Sequence, residues 1–149
     1  MSIAGKTRRI AVGCFNGVVV YENKIYAAPD KIQKIQVFQR RQQPSPGWLN
    51  VSTIGGDNRV RSDALTLSMS VSNDELTCCS RDGGKVNVYS LLSGGSELLR
   101  SYGARGRGGA AGQLCGPVIS DDDGDGSVLI ADRENNRLQV MSEQAFTYV

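Results

Sequence analysis

The feature that most restricts this chain is self-similarity. Residues 75–90 read ELTCCSRDGGKVNVYS and residues 127–142 read SVLIADRENNRLQVMS, and the two windows align without a gap at an offset of 52. A shift of 51 toward the N-terminus gives a third copy, KIYAAPDKIQKIQVFQ, over residues 24–39. Near their ends stand Ile35-Gln36-Val37-Phe38, Val86-Asn87-Val88-Tyr89 and Leu138-Gln139-Val140-Met141. Each is apolar-polar-apolar-apolar, the pattern of a half-buried strand. A fixed period of this length means that each copy is one supersecondary unit, unable to bury its apolar face alone.

Each window holds two strands and a hairpin. Asn135-Asn136 occupies the place of Gly83-Gly84, and both residue types tolerate the positive φ of tight turns. The first copy has Ile32-Gln33 there, so its turn must differ. Further strands are predicted ahead of the windows at Gly17–Glu22, Leu67–Ser72 and Gly116–Asp121, and behind them at Trp48–Ile54, Glu97–Tyr102 and Ala145–Val149. Four short antiparallel strands recurring at a period near 52, with no helical periodicity between them, describe the blades of a β-propeller. An irregular β-sandwich is the alternative. The blades are placed at about residues 10–54, 64–102 and 114–149, with Cys79 and Ala131 at equivalent positions in neighbouring blades.

The third copy is the most regular. Residues 106–142 contain G-x-G-x-x-x-G-Q-L-x-x-P, then the strand D-G-S-V-L-I-A-D, then N-N-R-L-Q-V. This segment resembles an NHL repeat. The second copy departs from the pattern with Ser80 at the strand-end Asp position, and the first departs further, with Pro29 there. The repeats look like those of the tripartite-motif (TRIM-NHL) family. That resemblance implies a six-bladed propeller following a RING ubiquitin-ligase module. Three blades would then be half of the ring, and the remaining blades would come from a missing segment of a longer protein or from a second chain. Blades bury one another's faces, so a half ring leaves two apolar faces in water. The isolated 149 residues are therefore not expected to be a stable closed monomer.

Composition narrows the chemistry. Hydrophobic residues make up 40% and charged residues 21%, which are globular values that argue against wholesale disorder. The chain has no histidine, which removes His-based general bases, Ser-His and Cys-His nucleophile pairs and most zinc sites. Cys14, Cys78, Cys79 and Cys115 show no C-x-x-C spacing and read as reduced, mostly buried residues of an intracellular, cytoplasmic protein. Cys78 and Cys79, adjacent in a strand, are expected to face opposite sides of the sheet. Lys6, Arg8 and Arg9 ahead of the apolar run Ile10–Tyr21 imitate a signal peptide, but Asn16 and two glycines interrupt it. No stretch reaches the length of a membrane-spanning helix.

The net charge of +2 hides a polar distribution. In the propeller reading, one rim carries the loops between second and third strands and those leading into each blade. It collects Lys31, Lys34, Arg59, Arg61, Arg81, Lys85, Arg105, Arg107, Arg133 and Arg137 against Asp30, Asp57, Asp63, Asp82, Asp132 and Glu134, a net of +4. The opposite rim has Lys24, Arg40 and Arg41 against Glu22, Asp74, Glu75, Glu97, Asp121, Asp122, Asp123, Asp125 and Glu143, a net of −6. A basic rim suits phosphate backbones or acidic peptides, although solvated loops carry charge in any protein. By resemblance, the corresponding face of several family members binds single-stranded RNA. The candidate binding residues are Arg59, Arg61, Arg81, Arg105, Arg107 and Arg133. Against RNA stands the shortage of stacking platforms, with only Phe15 and Tyr102 near that rim. The stretch GARGRGG over residues 103–109 imitates an RGG segment but fits better as the glycine-rich approach to the third blade.

Asp121-x-Asp123-x-Asp125-Gly126 matches the start of a calcium loop, with Asp132 at the twelfth position. Asp132 is shorter than the usual bidentate Glu, flanking helices are missing, and a strand-end Asp has a competing task in accepting N–H groups from the Arg133–Asn136 turn. A solvated acidic turn is the reading adopted, and no cofactor is expected. Together these observations describe a non-catalytic recognition module, binding protein substrates or single-stranded RNA for an associated ubiquitin-ligase domain. A calcium-dependent propeller lyase or lactonase and a purely structural scaffold are the alternatives.

Overall fold

The computed structural model describes residues 14–30, 34–41, 47–54, 66–80, 83–92, 97–122, 127–142 and 146–148. These form three four-stranded antiparallel sheets, each in simple up-and-down order. The first comprises β1 (Phe15–Tyr21), β2 (Lys24–Pro29), β3 (Ile35–Arg41) and β4 (Gly47–Ile54). The second comprises β5 (Thr66–Ser72), β6 (Glu75–Ser80), β7 (Lys85–Ser90) and β8 (Glu97–Tyr102). After a short parallel pair, β9 (Ala104–Arg105) with β10 (Gln113–Leu114), comes the third: β11 (Pro117–Asp122), β12 (Val128–Asp132), β13 (Arg137–Met141) and β14 (Phe146–Tyr148). A single 3-10 turn, Arg133–Asn135, is the helical element among the described residues. Phe15–Tyr21, the described part of the apolar run near the N-terminus, forms β1 and pairs with β2.

Local chemistry explains the hairpins. Ser72 pairs with Glu75, leaving Asn73 and Asp74 as a two-residue turn, both at positive φ. This is the type I′ geometry whose twist matches the strands, and Asn and Asp occupy it at low steric cost. Between second and third strands, Gly84 and Asn136 both adopt left-handed conformations, at φ 55° and 52°. The expectation that Gly-Gly and Asn-Asn serve the same turn is thus met at the second residue of each pair.

The first strands of the sheets lie side by side: β5 packs against β1 on one flank and β11 on the other. The sheets therefore stack face to face around their innermost strands, as propeller blades do. One core fills the space between the first and second sheets, with Tyr26, Ala28, Ile35, Val37 and Ile54 meeting Leu76, Cys78 and Leu91. A second core fills the next space, with Cys79 and Val86 meeting Leu114, Ile119, Val128, Ile130 and Met141. Cys78 and Cys79 thus belong to different cores, as their adjacency in a strand requires. The backbone of Ile119 donates to Ser68 Oγ at 2.6 Å across the second seam, and Tyr21 Oη donates to Asp74 across the first.

The ladders also fix which residues are equivalent. Ala28, Cys79 and Ala131 each precede the last residue of a second strand, and Cys79 and Ala131 pair outward with Val86 and Leu138. The offset read from the sequence is therefore a register in the structure.

Candidate functional site

The approach to the third blade is where sequence and structure are most tightly joined. Asp132, fully buried at the end of β12, is the centre. Its Oδ1 accepts the backbone N–H of Cys115 at 2.7 Å. Its Oδ2 accepts Asn135 Nδ2 at 2.8 Å, Arg137 Nε at 2.9 Å and Gln139 Nε2 at 3.0 Å. The polar positions of N-x-R-x-Q thus converge on the strand-end Asp.

The same side chains reach outward to the glycine-rich segment. Arg137 Nη2 donates to the carbonyls of Gln113 (2.6 Å) and Ala110 (3.0 Å), and Asn135 Nδ2 to that of Gly106 (3.1 Å). Gln139 Nε2 donates to the Gln113 carbonyl at 3.0 Å while its Oε1 accepts the Gly112 N–H at 3.0 Å. One buried network therefore pins residues 106–115 onto the rim. Burial raises the Asp132 carboxyl pKa, but the donors of Cys115, Asn135, Arg137 and Gln139 outweigh it and hold the group below the ordinary carboxylate range.

This network revises two expectations. Asp132 takes its backbone N–H from Cys115 rather than from the Arg133–Asn136 turn; in the second blade it is Ser80 Oγ that accepts from its own turn, from Gly83 N at 3.2 Å. Asp132 and Arg137 also count among the rim charges in sequence, yet they neutralise each other inside, the Arg137 side chain being only 15% exposed.

The approach itself needs glycine. A Cβ on Gly84 would lie 2.5 Å from Arg105 Cα and 2.6 Å from the Leu114 carbonyl oxygen, and its φ is already positive. The β9–β10 ribbon thus lies directly on the β6–β7 turn. That ribbon carries Arg105 and, two residues on, Arg107. Both side chains are exposed, as are Arg133 in the 3-10 turn, Lys34 and Lys85 on the same rim. Arg107 Nη2 forms an ion pair with Glu134 Oε2 at 2.9 Å, and Glu134 also accepts from Cys115 Sγ at 3.1 Å. The hydrogen bond to Glu134 raises the Arg107 pKa further above its ordinary value. Arg105, Gly106, Arg107, Cys115 and Glu134 line a shallow concavity of about 450 Å³.

Three of the six candidate arginines, Arg105, Arg107 and Arg133, therefore share one rim. Arg59, Arg61 and Arg81 lie outside the described residues. Tyr102, one of the two aromatic platforms, is half-buried against the second core. On the opposite rim, Arg100 pairs with Glu75, a cation that the rim count had left out and that moves its net from −6 to −5. Of the calcium candidates, Asp121 lies in β11, while Asp123 and Asp125 lie outside the described residues. Among the described residues no cluster of three acidic or cysteine ligands could hold a metal ion. No described helix is long and apolar enough to cross a membrane.

The signal that sequence reasoning missed is the role of Asn135, Arg137 and Gln139. It was available as the conjunction of a strand-end Asp with polar residues on alternate positions of the following strand, since side chains two apart share a face.

No family model matches the sequence, and no curated protein does. Among solved structures, selenomethionine-substituted virginiamycin B lyase from Staphylococcus aureus superposes with a TM-score of 0.59 at 13% identity, over 89% of this chain and 40% of the lyase. The chain thus spans less than half the length of that neighbour. At such identity the likeness concerns the fold alone, and together with the three stacked antiparallel sheets it establishes that this chain is built as part of a β-propeller.

Proposed function

We propose that this chain is the non-catalytic recognition module of a TRIM-NHL-like protein, binding an acidic partner on its basic rim. A protein substrate with an acidic segment is the first reading, and the backbone of single-stranded RNA the second. The observation that carries the proposal is the grouping of exposed Lys34, Lys85, Arg105, Arg107 and Arg133 from loops of three successive blades. Such a surface raises the local concentration of anions and steers their approach. Arginine suits the task because its planar fork pairs bidentately with carboxylate or phosphate. The burial of Tyr102 favours carboxylates over nucleobases, since a half-buried ring offers little face for stacking. The absence of histidine speaks against lyase or lactonase chemistry dependent on His-bound metal. The NHL-like motif supports association with a ubiquitin-ligase domain elsewhere in a longer protein. A cytoplasmic setting fits four unpaired cysteines.

The test is a salt titration of binding to polyglutamate and to unstructured single-stranded RNA. Replacing Arg105 and Arg107 together by Ala should flatten the dependence on salt by on the order of one unit for RNA, each phosphate contact contributing roughly 0.7. The pair Arg40 and Arg41, exposed on the opposite rim, serves as control. Equal losses from both pairs, or no binding of either polyanion at low salt, would remove the basic rim from consideration.

A further inference from the structure

The approach to the third blade holds more glycine than its fold uses. Of the chain's arginines, only Arg105 and Arg107 are followed by glycine, and Arg107 alone by two, Gly108 and Gly109. Gly103 and Gly112 sit at φ 83° and 77°, in the left-handed region that favours glycine. Gly108 and Gly109 do not. A Cβ on Gly109 would meet nothing within 4 Å. One on Gly108 would lie 2.5 Å from Gln113 Oε1, the far end of a side chain that can turn aside. The fold therefore accepts a side chain at both positions, and the Arg-Gly-Gly run is left without a structural reason.

The two arginines differ in how their backbone is held. Around Arg105 it is fixed on both edges: Ala104 N donates to the Gly112 carbonyl at 2.9 Å, Gly106 N to that of Leu114 at 3.2 Å, and the Gly106 carbonyl accepts from Asn135 Nδ2 at 3.1 Å. Beyond Gly106 the hold loosens. Gly108 N reaches Asn135 Oδ1 at 3.4 Å, and residues 107–111 are all exposed. The Arg107 side chain is itself 78% exposed, and its partner Glu134 is 48% exposed. An ion pair so open to water holds its cation weakly.

We propose that Arg107 is a methylation site for a protein methyltransferase that selects arginine beside glycine. In the step, a guanidinium Nη gives up a proton and attacks the methyl carbon of S-adenosylmethionine. The N–CH₃ bond forms, the sulfonium S–CH₃ bond breaks, and S-adenosylhomocysteine leaves, with the proton taken by a base of the transferase. Such an enzyme must draw the whole guanidinium into a closed slot. The backbone beside the arginine then lies against the mouth of the slot, where a neighbouring Cβ would hold it off and glycine does not. Arg107 meets this requirement, and Arg105, tied into its ribbon, does not. A methyl group keeps the positive charge but blocks the bidentate fork, so the modification alters how the rim pairs with anions without altering its net charge. The inference rests on access to the guanidinium and not on what the rim binds, so it stands or falls independently of the proposed function.

Incubating the folded 149-residue chain with a purified glycine-arginine-directed methyltransferase and S-adenosylmethionine tests it, beside a synthetic peptide of residues 103–112. Fragment-ion mass spectrometry should place methyl groups on Arg107 of the chain and severalfold fewer on Arg105, whereas the peptide takes them on both. Arg107→Lys should abolish labelling at that position. Gly109→Val, for which the structure has room, should lower labelling of Arg107 severalfold while the thermal melting curve stays that of the parent. An unlabelled chain overturns the proposal whether or not the peptide is labelled. Equal labelling of Arg105 and Arg107 in the folded chain overturns it too, since the backbone ties would then not govern access. So does undiminished labelling of Gly109→Val, since the spare glycine would then serve no recognition.

Discussion

Removing the Asp132 carboxylate tests whether the third blade is organised around one buried charge. In Asp132→Ala, most donors keep a second acceptor: Gln139 Nε2 and Arg137 Nη2 retain the Gln113 carbonyl, and Asn135 Nδ2 retains that of Gly106. Arg137 Nε loses its carboxylate and the Cys115 N–H its side-chain acceptor. Breaking a buried ion pair costs about 3–5 kcal/mol, and an orphaned backbone N–H about 1–3 kcal/mol. Arg137 is 15% exposed and can draw in water, so the lower end of that sum, about 4 kcal/mol, is the expected loss. Asp132→Asn keeps the shape but points an amide N–H₂ toward either the Cys115 donor or the other three, and should recover little of it. Adding Arg137→Met to Asp132→Asn removes both partners, and the double variant should lose less than the two single losses together.

The assay follows from the quasi-one-dimensional character of repeat proteins, in which one blade can loosen while others hold. Urea denaturation gives the total loss, and hydrogen exchange locates it. Peptides covering 103–141 should lose protection while those covering 15–41 keep theirs. The pH dependence supplies an independent sign. The folded pKa of Asp132 lies below its unfolded value of about 3.9, so its stabilisation is fully present above that value and fades as pH falls through the folded pKa. Asp132→Asn should therefore be less stable than the parent at neutral pH and approach it in strong acid. A variant within about 0.5 kcal/mol of the parent at pH 7, with unchanged exchange, would falsify the idea that the D…N-x-R-x-Q motif is a folding device.

Gly84→Ala should destabilise by about 1–3 kcal/mol, because strained φ and the close approach to Arg105 Cα and the Leu114 carbonyl act together; thermal melting checks it, and an unchanged melting temperature refutes the close-packed ribbon. Glu134→Gln should tighten polyanion binding severalfold and steepen its salt dependence by releasing Arg107; weaker binding in the same titration would count against Arg107 as a contact. In native protein at pH 8, alkylation should mark exposed Cys14 first and half-buried Cys115 more slowly, while Cys78 and Cys79 resist until unfolding. Burial pushes the Cys78 thiol up to about 12 and the Cys79 thiol up further, so neither supplies thiolate; early modification of either, read by mass spectrometry, would contradict the two-core arrangement.

The blades were legible in the sequence because a sheet buried on both faces must repeat its apolar pattern wherever it repeats its neighbours. Ile35-Gln36-Val37-Phe38 and its two copies show this: Val37, Val88 and Val140 fall on one face of their blades and Phe38, Tyr89 and Met141 on the other, so the period reports the stacking as well as the strands. The basic rim was less legible, because a formal charge in a loop does not reveal whether it points outward. Arg107 and Arg137 lie at the same rim and carry the same charge, yet one is exposed beside Glu134 and the other is folded inward under the glycine-rich approach. What separates them is the alternation of β13, where Arg137 and Gln139 share the side that Asp132 occupies. Ser80 in the second blade shows the consequence of losing that partner. With a hydroxyl in place of the carboxylate, Lys85 stands where Arg137 does and Asn87 where Gln139 does, and Lys85 is exposed. In these two blades the strand-end residue and the placement of the cation five residues on change together: Asp132 holds Arg137 inside, and Lys85 after Ser80 is exposed. The second blade, with Ser80 in place of the Asp, leaves its cation exposed on the rim, whereas in the third blade the buried carboxylate draws Arg137 into the network that holds the loop.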